Sequence, residues 1–428
     1  MSPNELAPEE MARAIITPAA YADGGAARDA FAWLRANNPL ALARIEGQFP
    51  FWIVAKHADI LEVSRQNDLF HSGDRSATFT TPEGDEYVRN LTGGSPHLLR
   101  TLVQMDAPDH PKYRLLTQSW FLPQNIRRLE DRIRQIARAH VDHMASLGGE
   151  CDFVRDVALT YPLRVVMEIL GVPETDEPRM LKLTQELFGA ADPELNRSSA
   201  EVEENHDPMG DLQGVIADFF LYFKQITDDR KAHPRGDLAT AIATGQIDGA
   251  PINDFEAMSY YVIVATAGHD TTSSSTAGAI WGLTQFPEEF AKLKADLSLI
   301  PGLVDESIRW ITPVKHFMRS ATADYEMRGR KIAKGDWLWL AYPSGNRDEE
   351  VFDEPDAFRI GRNPNRHLAF GYGAHLCLGQ HLAKLEMRIL WEELIPRLKS
   401  LELAGEPAMA VGNFVSGPKR LPIRYAMA

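Results

Sequence analysis

One cysteine, Cys377, stands in the run Phe370-Gly371-Tyr372-Gly373-Ala374-His375-Leu376-Cys377-Leu378-Gly379. Gly371, Gly373 and Gly379 tolerate backbone angles and close approaches that a β-carbon forbids, so this stretch reads as a loop able to press against a flat group. Directly behind it, residues 380–394 carry Leu382, Leu385 and Ile389 at helical spacing. Cys377 is therefore expected just ahead of a helix N-terminus, where unpaired N–H groups and the positive end of the dipole favour an anion. The spacing predicts a thiolate, lowered from the usual cysteine pKa of about 8.5, and a thiolate is a metal ligand. A lone cysteine is more often a small buried apolar side chain, so the assignment depends on residues elsewhere.

Residues 260–281 form an apolar helical stretch interrupted by Ala267-Gly268-His269-Asp270-Thr271-Thr272. Ala267 and Gly268 are small enough to let a planar group approach the backbone. Thr271 lies four residues after Ala267, so its hydroxyl competes for the Ala267 carbonyl and loosens one helical bond. Such a kink opens a pocket. Asp270 and Thr271 then make an acid and alcohol pair suited to proton relay. Taken alone, these polar residues also fit a solvated helix face or a cap. A third element is Glu306 with Arg309, three apart on a helix over 301–310 and so on one face; alone, it is a routine surface pair.

Phe, three glycines, His and Cys at these intervals resemble the haem-ligand loop of the cytochrome P450 superfamily, and the other two elements fit the same pattern. The resemblance implies haem b (iron protoporphyrin IX), with Cys377 as the proximal ligand and Phe370, Gly371, Gly379 and Ala267 against the ring. It implies proton delivery by Asp270 and Thr271, and burial of Glu306 and Arg309 beneath the cysteine loop. Haem propionates need cationic partners, and His110 and Arg114, spaced His-x-x-x-Arg, with Arg319 and His375, match the family positions. For His110 a surface or capping role is an equal alternative. The meander before the loop has Ala357 where many members carry an arginine, leaving Arg359 or Arg362 to complete the Glu306-Arg309 network.

The implied fold is mainly α with a small β portion, the triangular prism of the family, with residues 1–428 as a single domain. No linker, repeat or low-complexity segment divides the chain. Periodicity predicts helices over 27–37, 126–147, 155–170, 177–190, 210–231 and 254–285, and strands over 51–55, 317–322 and 337–341. A net charge of −15 argues against nucleic acid and anionic membranes as general partners. No apolar stretch approaches the roughly twenty residues that cross a bilayer, residues 1–13 are polar and acidic, and two cysteines allow at most one disulfide. A monomeric cytoplasmic protein is expected.

The implied chemistry is insertion of one oxygen atom from O2, with electrons from an iron–sulfur ferredoxin and its NAD(P)H-dependent reductase. Basic Lys112, Arg114, Arg127, Arg128 and Lys384 are candidates to steer an acidic ferredoxin. By position, Ile263, Thr266 and Ala267 face the substrate from the long helix, Val314 and Phe317 from the strand after the Glu-Arg helix, and Phe414 and Val415 from the C-terminal loop. Leu98, Leu102 and Val103 follow a polar, glycine-rich stretch over 71–94, expected to be a mobile lid. This apolar wall predicts a small or medium hydrophobic substrate. Stretches outside the haem motifs, among them Ile45-Glu46-Gly47, Lys56-His57-Ala58-Asp59 and Gly149-Glu150-Cys151-Asp152-Phe153, resemble the α-terpineol-oxidising subfamily. Terpenoids and aromatic hydrocarbons both stay open. The rivals are a peroxide-driven peroxygenase and a non-catalytic haem sensor.

Overall fold

The computed structural model describes residues 5–22, 25–196 and 208–427. Its architecture is mainly α-helical with small sheets, as expected. Three helices, Glu130–Ser146, Asp270–Gln285 and Gln380–Leu394, share one apolar core that includes Ile133, Val141, Ala277, Ile280, Ile389, Leu390 and Trp391. That core fixes the elements on which the candidate residues sit. Gln380–Leu394 matches its expected span.

The stretch expected as one helix over 254–285 is two, Asp254–Ala267 and Asp270–Gln285, broken where the polar residues interrupt the apolar run. Thr271 Oγ1 donates to the Ala267 carbonyl at 2.8 Å. The hydroxyl takes up an acceptor at the interruption, as its spacing predicted. Two other helices start differently from their expected bounds. Val154–Ala158 is a π-helical turn before Thr160–Leu170, and a 3₁₀ turn, Arg127–Leu129, precedes Glu130–Ser146.

The larger sheet pairs Leu40–Ala43 antiparallel with Phe51–Val54, which runs parallel to Trp337–Ala341; His316–Ala321 and then Phe70–His71 follow antiparallel. The stretch over 71–94, expected to be a loop, holds the helix Pro82–Thr92 over about half its length. Thr81 caps that helix by accepting from Gly84 N, Pro82 opens it, and left-handed Gly93 ends it. These are start and stop signals, which glycine content alone obscured. The preceding turn is held by the Asp106 carboxylate, which accepts from Ser72 N and Gly73 N. Met318 N donates to Ala77 O at 2.9 Å, pinning the segment to the sheet.

His316 shows how this sheet depends on pH. Its Nε2 accepts from Phe79 N at 3.0 Å while Nδ1 meets the Asn413 carbonyl at 2.9 Å, so the bonded ring is neutral, with its proton on Nδ1. Burial pushes its pKa down to about 3. A base with a depressed folded pKa contributes stability that is complete above its unfolded pKa of about 6.5 and is lost as pH falls from there towards the folded value. Unfolding free energy should therefore drop between about pH 6.5 and pH 4, and the slope should flatten in His316→Asn. An unchanged slope in urea titrations of that variant would remove His316 from the account.

Candidate functional site

The cysteine loop is set by its backbone. Cys377 N donates to Phe370 O at 2.9 Å, and Gly371 and Gly373 have φ of 69° and 72°. A β-carbon on Gly373 would come within 2.1 Å of the Ser64 carbonyl, so glycine is required there on two counts. Around Gly379 a β-carbon would meet nothing within 4 Å, an open side against which a flat group fits. Backbone N–H groups of Gly379 and Gln380 point at the thiol, as the helix-start argument required. Their pull is nevertheless outweighed: burial pushes the Cys377 thiol up, against the bonds from Gly379 and Gln380 and the nearby Arg114 charge. The expectation of a thiolate stabilised by the helix end alone is thus corrected. A sulfur anion at this half-buried position calls for a metal cation, which deprotonates a thiol on binding.

Beneath the loop, Glu306 and Arg309 are both fully buried on the helix Ile300–Ile311 and form a two-pronged pair at 2.8 Å. Arg309 also donates to the carbonyls of Asn346, Pro355 and Ala357 at 2.7 to 3.0 Å. The open choice between Arg359 and Arg362 is settled. Arg362 Nε reaches Glu306 at 3.2 Å, whereas the Arg359 side chain pairs with Asp353 and Glu354 and only its backbone N–H serves Glu306. Asn365, absent from the sequence reading, adds a fourth donor at 3.0 Å. Its spacing carries no periodic signal.

On the broken helix, Ala267 is exposed and Ile263 and Thr271 are half-buried, although the helix runs through the core. These positions, four apart, form an accessible stripe. Thr266 does not share it: it is fully buried with its hydroxyl donated to Val262 O, one helical position round from Ala267, so its substrate-facing placement is corrected. Asp270 also lies off the stripe. It lines a small cavity with Gln185, Ser273, Ser274, Val415 and Lys419, and its buried Oδ2 has no hydrogen-bond partner.

Val314 and Val415 form an antiparallel bridge, and Lys315 N donates to Phe414 O at 2.7 Å, so the strand and the C-terminal loop are joined. Phe317 and Phe414 contact edge to face at 5.4 Å. Val415 is buried and lines the Asp270 cavity. Leu102 is buried in the main core, while Leu98 and Val103 stay half-buried.

The four expected cationic partners converge. His110 and His375 rings lie 4.5 Å apart, Arg114 Nη2 donates to Leu376 O at 2.9 Å, and Arg319 is buried on its strand with a single hydrogen bond, to Met318 O. Burial, then His375 and Arg114, push the His110 pKa down to about 4, and its buried Nε2 has no partner. Although burial acts to raise it, Asp106 is held down to about 2 by His375 and the Ser72 and Gly73 N–H groups. A buried guanidinium with one neutral acceptor and an orphaned imidazole nitrogen ask for anions. Two carboxylates of a planar group would match that demand. The surface role weighed for His110 does not hold, since it is buried.

A sequence profile of the family described as Cytochrome P450 matches residues 83–420. The chain is 51% identical to Cytochrome P450-terp of Pseudomonas sp. over 421 residues, covering 98% of each chain. It is 31% identical to linalool 8-monooxygenase of Pseudomonas putida over 92% of this chain and 94% of that one. The crystal structure of CYP108D1 from Novosphingobium aromaticivorans superposes with a TM-score of 0.90 at 46% identity, covering 99% of this chain and all of that one.

Proposed function

Because this chain belongs to the cytochrome P450 family, and so is a haem b monooxygenase that takes O2 and a hydrophobic substrate, we propose that Cys377 is the iron ligand and that the substrate is a monoterpenoid. Haem, when bound, supplies oxygen activation and the insertion chemistry. The chain's residues supply the rest. Arg114, Arg319, His110 and His375 hold the propionates, and the glycines of the cysteine loop admit the ring, with Phe370 beside it. Ile263, Ala267, Val314, Phe317 and Phe414 exclude water and orient an apolar skeleton, with Leu98 and Val103 closing the side. Thr271 donates to the Ala267 carbonyl and so keeps its lone pairs turned to the pocket, where they accept a hydrogen bond and fix the position of a transferable proton. Asp270 carries protons from its own cavity to that hydroxyl.

The observation that carries this reading is the Thr271 to Ala267 bond at the break of the helix. Thr271→Ala should bind substrate and haem as before while product per reducing equivalent falls by about tenfold, the remainder appearing as peroxide. Full product yield per electron pair would remove Thr271 from proton delivery. The relatives named for a terpene and for linalool support a terpenoid over an aromatic hydrocarbon. A spectral-shift screen of both classes, with product identification, decides between them.

Electrons come, in this reading, from a ferredoxin and its NAD(P)H-dependent reductase. A cleft beside the helix behind the cysteine loop is lined by Arg127, His381, Lys384, Arg388 and Asp305; Lys384 pairs with Asp305 and Arg388 with Glu130 and Glu392, so among the described residues Arg127, bonded to the Pro123 carbonyl, is the cation of this cleft best placed to meet an acidic partner. Lys112 is drawn off to Asp248, so it adds less than expected. Turnover with peroxide alone that matches the ferredoxin-driven rate would favour the peroxygenase; no turnover with any redox supply would favour the sensor. Among the described residues no helix is long and apolar enough to cross a membrane. The reading takes residues 1–428 as one working unit and one copy as sufficient, since every group invoked lies on the same chain.

A further inference from the structure

His269 is fully buried at the break between the helices Asp254–Ala267 and Asp270–Gln285. Its imidazole spans two neighbouring elements. Nε2 meets the Leu159 carbonyl at 2.8 Å, at the junction of the π-helical turn and the helix Thr160–Leu170, and Nδ1 meets Thr184 Oγ1 at 2.9 Å on the helix Glu177–Phe188. A carbonyl accepts only, so Nε2 carries a proton. Nδ1 has two choices. As a lone pair it accepts from the Thr184 hydroxyl. As an N–H it donates, and Thr184 can turn its own proton to Leu181 O, 3.0 Å away. Asp270 Oδ2 lies 3.5 Å from Nδ1 and has no hydrogen-bond partner.

The two hydrogen-bond patterns thus differ in what they offer Asp270. With a neutral ring, Thr184 satisfies Nδ1 and the Asp270 carboxylate is left to its cavity. With an imidazolium, Nδ1–H faces Thr184 and Asp270 together, and the carboxylate is drawn back against the helix. The groups facing this pair are the Leu159 and Leu181 carbonyls, Thr184, and, across the Asp270 cavity, Gln185, Ser273, Ser274 and Lys419. Lys419 is already engaged by Asp192 and Glu194 at 2.9 to 3.0 Å, so His269 is the nearer cationic partner for Asp270.

We propose that His269 is a positioning residue for proton delivery, holding or releasing the Asp270 carboxylate through its Nδ1 and the Thr184 hydroxyl. The inference rests on the relay reading of Asp270 and Thr271. It is tested on the haem-loaded enzyme with a ferredoxin system and α-terpineol as probe substrate, by product per NAD(P)H as a function of pH. His269→Phe keeps the ring volume without its nitrogens. It should lower coupling by about threefold or more and change the pH dependence of coupling. The double variant with Asp270→Asn should be no worse than Asp270→Asn alone. Wild-type coupling and pH profile in His269→Phe, or losses that multiply in the double variant, would overturn the proposal. Should His269→Phe not retain haem, Thr184→Val removes one arm of the switch at nearly constant volume. It must displace the pH profile, and an unmoved profile is equally fatal. Full coupling in Asp270→Asn would instead sink the relay reading itself.

Discussion

Replacing Cys377 by serine should abolish turnover while leaving the fold in place. The loop's shape comes from groups the substitution does not touch: the Cys377 N to Phe370 O bond and the left-handed Gly371 and Gly373. What goes is an atom able to carry negative charge at neutral pH. Even the thiol is pushed up by burial and gains only two N–H groups and Arg114 in compensation. An alcohol, which ionises far less readily than a thiol, could not be an anion there. If thiolate donation assists O–O cleavage, a loss of about a thousandfold or more is expected, on the order of 4 kcal/mol of barrier. The reduced carbon-monoxide spectrum checks it independently of substrate, since its thiolate-specific band should vanish. Cys151→Ser is the internal control. Cys151 is buried on the strand Glu150–Asp152, where burial and Asp156 push its thiol up to about 12, and the band should survive its loss. A spectrum unchanged in Cys377→Ser would refute the ligand assignment.

Much of this site is legible in the sequence because its chemistry is local. The Gly371 and Gly373 angles, the Thr271 to Ala267 bond and the Glu306-Arg309 pair each depend on residues within a few positions of one another, and spacing reports such contacts directly. Orientation around the helix was harder. Thr266 and Ala267 are adjacent, yet one is core and the other accessible, and the apolar run on both sides of Ala267 gives no clean stripe from which to choose. Long-range partners were harder still. Nothing near Glu306 marks Asn365 as its donor, and nothing near His375 marks Ser72, whose Oγ lies 3.2 Å from its Nε2. The thiol's raised pKa was missed for a related reason: a helix terminus is visible in sequence, whereas the depth of burial that outweighs it belongs to the whole fold. The helix over 82–92 is a different failure, since Thr81-Pro82 and Gly93 announce it and the glycine and polar content of the surrounding stretch concealed the signal.

Glu306→Ala should produce the largest loss of stability, because the fully buried carboxylate is the common acceptor for Arg309, Arg362, Asn365 and the Arg359 N–H. Its removal strands two buried cations. Breaking a buried pair by deleting one partner costs about 3–5 kcal/mol, a large part of the roughly 5–15 kcal/mol that holds a domain folded. Arg309→Ala should cost a similar amount by a different route: it leaves Glu306 with Arg362 but frees the carbonyls of Asn346, Pro355 and Ala357, whose positions lead the chain into the cysteine loop. Arg309→Lys keeps the charge and loses the fork, since one ammonium cannot reach Glu306 twice and three carbonyls besides. The arginines of the meander separate role from charge. Arg362→Ala removes a buried donor and should cost about 1–3 kcal/mol, whereas Arg359→Ala removes an exposed side chain paired with Asp353 and Glu354 and should cost under about 1 kcal/mol, its backbone N–H being kept. Urea unfolding with haem retention followed in parallel measures all five. Haem should be lost ahead of secondary structure in Arg309→Ala, because the carbonyls it pins are what set the Cys377 loop, and a wild-type midpoint for Glu306→Ala would show that the network does not carry the load its burial implies.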